Sequence, residues 1–222
     1  MSLQMARFAS GKLGRRRVAI LYENNAYGRG LTDAFRRNFP GTIIGADPIA
    51  EGPQNFEPYV SWLKTKNPDL IFVPGTDASG ITLINEVRRQ KLIAELLGGD
   101  GWTGVSVDTA GAEGVYVGAP FSAENPDPLV QRFVRAFRAK FSLTPDGNAA
   151  LAYDATNLLY YALMRAGPDR TAIRDFLAGL DEPSAWKGVT GAIRFGKDGD
   201  PIGKSVVMTV IRKGALMVEN TP

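Results

Sequence analysis

The chain has 222 residues, a formal net charge of +3, 44% hydrophobic residues and 22% charged residues, enough for a sizeable core in one large domain or two small ones. It contains neither Cys nor His, which excludes disulfides, thiolate metal sites and the Ser-His and Cys-His pairs of many hydrolases. The basic residues are spread along the chain apart from three consecutive Arg at residues 15–17. A clustered basic surface typical of nucleic-acid binding is therefore not expected.

The first part of the chain alternates apolar runs with segments of helical periodicity. Residues 18–22 are a short apolar run that predicts a strand buried on both faces, and a polar turn and a helix with Leu31 and Phe35 on its apolar side follow. A second strand is predicted at residues 42–49, where Pro48 indicates a sheet edge or a strand end. A second helix, a third strand at residues 70–73 and a third helix that Ser79 can cap come next.

This βαβαβα order predicts the fold class. It indicates an α/β fold with a doubly wound, mainly parallel sheet, because right-handed crossovers place the helices on both sheet faces. Two further short strands are predicted at residues 96–97 and 115–117. Between them, residues 98–102 form a Gly-rich loop at the end of a strand, where ligands of such sheets usually bind.

The rest of the chain changes character. Three helices are predicted after residue 122, and residues 189–195, 205–211 and 215–218, joined by Gly-containing turns, predict a C-terminal antiparallel meander. We therefore divide the chain into an α/β domain at residues 1–121, a helical segment at residues 122–188 and C-terminal strands at residues 189–222.

The order of several motifs resembles a known family, the branched-chain amino-acid substrate-binding proteins of ABC transporters, which are type I periplasmic binding proteins. The resemblance is carried by Val-Ala-Ile-Leu-Tyr at residues 18–22 with Ala-Tyr-Gly-Arg-Gly-Leu at 26–31, Asn-Pro-Asp-Leu-Ile-Phe-Val at 67–73, Gly-Val-Tyr at 114–116, Ala-Tyr-Asp-Ala at 152–155, and Gly-Val-Thr-Gly at 188–191 with Ile-Arg-Phe at 193–195 and Asp-Gly at 198–199.

The resemblance implies two α/β lobes that close on a ligand. Residues 1–121 resemble the second lobe, residues 122–188 the helices that return to the first lobe, and residues 189–222 the strands that close the lobes. The opening half of the first lobe has no counterpart in this sequence. The implied function is the extracytoplasmic solute-binding component of an ABC transporter, which binds a small amino acid or related compound by hinge closure and is recognised by a membrane permease.

Other properties follow from the same resemblance. The implied location is periplasmic, or extracellular with a lipid anchor, and any signal segment is expected outside this sequence. No cofactor, structural metal, nucleic-acid partner or enzymatic activity is expected. Two alternatives stay open: a ligand-sensing receptor module of the same fold, and a hydrolase that uses carboxylates such as Asp77 and Asp100. Residues 75–80 superficially resemble a phosphate loop but lack its Lys-Ser/Thr ending.

The resemblance also implies ligand-binding residues at matching positions. Tyr27 corresponds to an aromatic ring presented to the ligand, with packing of the turn as the alternative. Thr76 and Asp77 lie in the loop after the third strand, where Asp77 can equally cap the next helix. Asp100 corresponds to the acidic residue that faces the ligand's ammonium group, since a buried ammonium needs a carboxylate.

Three more positions complete the implied site. Gly101 lets the backbone approach the ligand closely, and Trp102 either lines the pocket or covers the end of the sheet. Asn148 corresponds to a pocket-lining position on the returning segment or caps the next helix. The family's ligand carboxylate is held by the first lobe, so we expect this chain alone to bind an amino acid weakly or not at all.

Overall fold

The structure, a computed structural model, describes residues 1–52, 54–204 and 206–219. The chain forms two compact units, one of Met1–Ala119 with Val206–Pro222 and the other of Pro120–Ser205. Within the described residues, no helix combines the length and the apolar character needed to cross a bilayer.

The first unit alternates strands and helices, as the sequence predicts. Its elements are α1 (Ser2–Arg7), continued by a π-helical turn (Phe8–Lys12), β1 (Arg17–Glu23), α2 (Ala26–Asn38), β2 (Thr42–Ile49), α3 (Glu57–Lys66), β3 (Leu70–Val73), α4 (Asp77–Arg89), β4 (Glu95–Gly98) and β5 (Tyr116–Ala119). After the second unit, which contributes β6 (Trp186–Gly188) and β7 (Gly191–Ile193), the chain adds β8 (Val207–Arg212) and β9 (Ala215–Val218) to the same sheet.

The seven strands of this sheet lie in the order β2-β1-β3-β4-β5-β8-β9. The first five are parallel, whereas β8 pairs antiparallel with β5 and β9 antiparallel with β8. The doubly wound, mainly parallel sheet is therefore confirmed. The edge position expected from Pro48 is confirmed as well, because β2 is the outermost strand on its side.

Alternate residues of each parallel strand enter different cores, one on each sheet face. On one face Ala19 and Leu21 pack with residues of α3 and α4, and on the other Val18 and Ile20 pack with residues of α1 and α2. Because both sets are apolar, the strands read as continuous apolar runs. One layer of helices thus covers each face of the sheet, and the loops after the strands lie at its carboxyl-terminal edge.

The first helix is absent from the elements predicted above. Met5 and Phe8 are buried in the core beside α2, and their spacing of three residues is the helical signal that the sequence contains. The segment is short and polar at its start, so the apolar spacing extends over little more than one helical turn and does not predict a helix by itself.

The second unit contains the three predicted helices and one small hairpin. Its elements are α5 (Pro128–Phe141), α6 (Gly147–Ala166), α7 (Arg170–Ala178), β6 (Trp186–Gly188) and β7 (Gly191–Ile193). The side chains of Asp127, Asp146 and Asp169 cap the three helices by accepting hydrogen bonds from backbone amides in the first turn.

The antiparallel strands near the C-terminus are confirmed, but they form two hairpins instead of one meander. The strand expected at residues 189–195 is shorter, because residues 189–190 form the turn between β6 and β7, and Gly191, with a φ of +94°, begins β7. Strands β8 and β9 join the large sheet instead. Ser205, at the start of another expected strand, lies outside the described residues. The assignment of these segments to lobes of a larger protein stays a prediction.

Candidate ligand-binding site

The loops that follow β1, β3 and β4 meet at one edge of the sheet, because parallel strands end on the same side. Helix α2 begins directly after the first of these loops, and its N-cap residue Asn25 accepts a hydrogen bond from the amide of Gly28 at 2.8 Å. Gly28 has no room for a side chain, since a Cβ would overlap the carbonyl oxygen of Glu23. This tight turn places Tyr27 at the carboxyl edge of the sheet.

Tyr27 joins the first loop to the loop after β4. Its hydroxyl donates to Asp100 Oδ1 at 2.6 Å and accepts from the amide of Gly101 at 3.2 Å. Burial and the negative charge of Asp100 both raise the pKa of the Tyr27 phenol far above its usual range, so the phenol stays a proton donor at neutral pH. Three of the predicted residues are therefore in direct contact.

Close backbone approach explains the glycines around Asp100. A Cβ on Gly101 would lie 2.5 Å from the carbonyl oxygen of Gly75, and one on Gly99 would lie 2.5 Å from the Tyr27 hydroxyl. Both distances are shorter than any ordinary carbon–oxygen contact. A side chain at Gly101 would separate the loops after β3 and β4, and one at Gly99 would displace the Tyr27 ring. The close contact of Gly101 is with Gly75 of the same unit, and close approach of its backbone to a ligand stays a prediction.

Thr76 and Asp77 have different partners at the start of α4. The Thr76 amide and hydroxyl both donate to Glu23 Oε1, at 3.0 and 2.7 Å. Asp77 Oδ1 accepts from the amide of Gly104 at 2.9 Å, so this carboxylate also links α4 to the segment after β4. The helix N-cap is Thr76, and Ser79, expected above as the cap, lies inside the helix and donates to Glu23 instead.

Glu23 is the buried residue that the sequence analysis does not single out. Its side chain is fully buried at the end of β1. Burial by itself would raise the pKa of this carboxyl, but hydrogen bonds from Thr76, Ser79 and Asn25 outweigh it and hold the pKa below its ordinary value. The only feature of the sequence that could have indicated this buried carboxylate is its position, directly after the apolar residues of β1.

Trp102 is buried beneath the edge. Its ring has no exposed surface, belongs to the core on the α3–α4 face, and lies against Gly80 and Gly98, where side chains would overlap it. The structure thus favours the second interpretation of Trp102, a cover for the end of the sheet. A direct ligand contact would require the ring to leave this position, and its ligand role stays a prediction.

Asn148 belongs to the second unit and is exposed as the second residue of α6. The helix cap expected of Asn148 as an alternative is wrong, because Asp146 takes that position and accepts from the amide of Ala149 at 2.8 Å. The Asp side chain reaches the helix amides from outside the first turn, which a residue already inside the helix cannot do.

The edge offers binding groups. Asp100 and Asp77 supply carboxylates, and Tyr27 and Thr76 supply hydroxyls, whereas the Glu23 carboxylate is buried and bonded to Thr76. Within residues 1–52, 54–204 and 206–219, no group of three or more acidic side chains is arranged to hold a metal ion. The arrangement suits a small ligand that carries a positive group and hydrogen-bond donors.

A family model for periplasmic binding proteins matches residues 2–215. The chain belongs to the periplasmic binding protein family. Among curated relatives, the Leu/Ile/Val-binding protein BraC3 of Rhizobium johnstonii is 26% identical over 200 residues, which cover 83% of this chain and 51% of the relative.

Solved structures of this family agree with the fold. The leucine-binding protein LivK of Thermotoga maritima superimposes with a TM-score of 0.90 at 26% identity, covering 99% of this chain and 64% of that chain. The branched-chain amino-acid substrate-binding protein LivJ of Streptococcus pneumoniae, in complex with isoleucine, gives a TM-score of 0.87 at 28% identity with the same coverage. The chain thus spans about half the length of the curated relatives and under two thirds of these structures.

Proposed function

We propose that this chain is part of an extracytoplasmic solute-binding component of an ABC transporter and that it binds a small amino acid or a related compound. The observation that carries this proposal is the carboxylate of Asp100, held by Tyr27 at the carboxyl edge of the sheet. A carboxylate in this position can pair with an α-ammonium group. The proposal is further supported by relatives whose names specify leucine, isoleucine and valine.

Each residue has a proposed role in the site. Asp100 accepts hydrogen bonds from the ligand ammonium, and Tyr27 orients Asp100 and presents its ring to the ligand side chain. Thr76, Asp77 and the Gly101 amide line the same edge. Ligand contacts of Trp102 and Asn148 are proposed from the resemblance alone.

The proposed mechanism is hinge closure without covalent chemistry. Ligand contacts made only in the closed state shift an open–closed equilibrium toward that state, and the membrane permease recognises the closed form. In this proposal residues 1–121 form the second lobe, residues 122–188 return to the first lobe, and residues 189–222 close the two lobes.

Helix α6 supports this assignment of the returning segment. Several large apolar side chains on α6 are exposed, among them Leu159, Tyr160 and Met164, at 55, 62 and 65%. A helix that is apolar on most sides is usually covered by other protein. Contact of α6 with the rest of a first lobe would provide that cover.

The proposed ligand class is tested by titrating the isotopically labelled chain with L-leucine and with N-acetyl-L-leucine while amide shifts are recorded. We expect leucine to bind with a Kd of about 1 mM or weaker, since one lobe supplies only part of the contacts. The acetylated compound, which has no ammonium group, should give no saturable shifts. Equal binding of both compounds would contradict the proposed role of Asp100, and micromolar leucine binding would contradict the need for a first lobe.

A further inference from the structure

Glu23 occupies the point where the ligand loops of the first unit converge. One of its oxygens, Oε1, accepts three hydrogen bonds, from the Thr76 amide, the Thr76 hydroxyl and the Ser79 hydroxyl, at 3.0, 2.7 and 2.7 Å. The other oxygen, Oε2, accepts from the side-chain amide of Asn25 at 3.3 Å. A single buried carboxylate therefore binds the loop after β1 to the loop after β3.

The network extends from Asn25 to a third loop. Its side-chain nitrogen also donates to Glu51 Oε1 in the segment after β2, at 3.0 Å, while its side-chain oxygen caps α2 through Gly28. Asn25 can serve both sides only in one orientation, with the nitrogen toward the carboxylates and the oxygen toward the helix. The carboxylates of Glu23 and Glu51 both favour this orientation, in which Asn25 caps α2.

Helix α2 carries the connection to the fourth loop. Tyr27 lies two residues after Asn25 and holds Asp100 and the amide of Gly101. A rotation of the first turn of α2 would move the Tyr27 hydroxyl and with it the carboxylate proposed to bind the ligand ammonium. Glu23 itself has no exposed surface, so it acts only through these neighbours.

We infer that Glu23 is a positioning residue of the ligand site: its ionised carboxylate fixes Thr76 directly and fixes Tyr27 and Asp100 through Asn25. This inference rests on the proposed function for its purpose, whereas the coupling among the four loops is a property of the chain without ligand. The two can therefore fail separately.

The test compares Glu23→Gln with Glu51→Gln in the full 222-residue chain by amide chemical shifts and hydrogen exchange. Gln has nearly the same shape as Glu but no charge, and its amide nitrogen cannot accept from Asn25. In Glu23→Gln we expect a large shift at Thr76, shifts at Gly28 and Gly101, and exchange at these amides that is faster by roughly tenfold or more. Amides of the sheet interior, such as those of Ile71 and Phe72, should keep their exchange rates.

The control shares a partner with Glu23 but lies at the surface. Glu51 is exposed and accepts from the same Asn25 nitrogen through one oxygen. Gln keeps one side-chain oxygen as an acceptor, so Glu51→Gln should leave the Thr76 and Gly101 amides unchanged. Equal acceleration at all amides in Glu23→Gln would reduce Glu23 to a purely stabilising residue and overturn the inference. An unchanged Gly101 amide beside a shifted Thr76 amide would overturn the coupling to Asp100.

Glu23→Asp separates the charge from the reach of the side chain. The shorter carboxylate retains its charge but cannot span the same distance to Thr76 and Asn25. Partial recovery of the wild-type shifts at Thr76 and Gly101, relative to Glu23→Gln, is the expected result. Recovery of neither would show that charge is not what positions the loops. If neither the wild type nor any variant bound leucine, while Glu23→Gln still shifted the Thr76 and Gly101 amides, the result would count against the proposed function alone.

Discussion

Individual polar side chains at the carboxyl edge have more than one hydrogen bond each, and these bonds cross between loops. The Tyr27 hydroxyl both donates and accepts, and the Glu23 carboxylate accepts from two different loops. A buried polar group of this kind costs stability when one partner is removed, because the remaining partner is left unsatisfied. Substitutions at the edge should therefore affect folding as well as binding.

Tyr27→Phe tests the hydroxyl alone. The variant keeps the ring and loses both hydrogen bonds, so we expect the free energy of unfolding at pH 7 to fall by about 1–3 kcal/mol in chemical denaturation. The pKa of Tyr27 is raised in the folded state, so its contribution is complete below the ordinary tyrosine pKa and is lost as the pH rises above about 10. The variant should therefore lose less stability than the wild type between about pH 10 and 12.

Tyr22→Phe is the matched control for this measurement. Tyr22 is partly buried in β1, and its hydroxyl makes none of the hydrogen bonds found in the described part of the chain. Its removal should change the stability at pH 7 by no more than about 0.5 kcal/mol. A similar loss in both variants would contradict the special role of the Tyr27 hydroxyl.

Lys91 has a backbone conformation whose energetic cost can be measured. It follows α4 with a φ of +54°, in the left-handed region that disfavours residues with a Cβ. Lys91→Gly should therefore stabilise the chain by about 0.5–1 kcal/mol, measured by thermal or chemical unfolding. The control Lys64→Gly lies inside α3 and should destabilise by about 1 kcal/mol. Destabilisation by Lys91→Gly would show that the lysine side chain makes a contact worth more than the backbone strain.

At the scale of elements, α6 and the β6–β7 hairpin are joined by one buried carboxylate. Asp154 is 1% exposed and accepts from the Val189 amide, the Thr190 amide and the Thr190 hydroxyl at 2.8, 2.7 and 2.6 Å. Lys204 adds a hydrogen bond to the Thr190 hydroxyl at 2.6 Å. Gly188 is required beside this carboxylate, since a Cβ there would overlap it.

Asp154→Asn should destabilise the second unit by about 3 kcal/mol. The Asn amide would turn a donor toward backbone N–H groups that need an acceptor, and these groups are buried. Urea unfolding followed by circular dichroism gives the change. The control Asp181→Asn removes an exposed carboxylate that bonds Ser184 in the same unit and should cost less than about 1 kcal/mol. Equal costs would show that burial of Asp154 adds nothing to its hydrogen bonds.

Element type was largely predictable from sequence, because the strands of the parallel sheet are continuous apolar runs and the helices carry apolar residues at helical spacing. β2 and β3 occupy the predicted residues, and α5, α6 and α7 lie where three helices are expected. The hairpin at β6 and β7 was not predictable, because its turn depends on a left-handed Gly191 and on Asp154, far away in the chain.

The candidate site was predictable in part. The contact of Tyr27 with Asp100 follows from parallel strands ending at one edge, although their separation of 73 residues hides the hydrogen bond itself. Glu23 was not predicted as a site residue, because a carboxylate at the end of an apolar strand looks like the first residue of a solvated loop. Its burial becomes visible only when Thr76 and Ser79 are placed around it.

At the scale of the whole molecule, the proposal is that the carboxyl edge of the first unit forms one side of a binding site for an amino acid. The fold and the family are those of periplasmic binding proteins. The chain covers 64% of the length of the leucine-binding structure it matches, and 51% of the length of the curated Rhizobium relative. Ligand contacts from a first lobe would then add to those of Tyr27, Thr76 and Asp100.

The most direct test is to map where leucine perturbs the amides of this chain, in the wild type and in Asp100→Asn. We expect saturable shifts at Thr76, Gly101 and Trp102 in the wild type, and an affinity at least about tenfold weaker in Asp100→Asn, because the neutral amide cannot compensate the ligand charge. Glu51→Gln should retain the wild-type affinity. Saturable shifts elsewhere with none at this edge, or equal affinity in Asp100→Asn, would contradict the account.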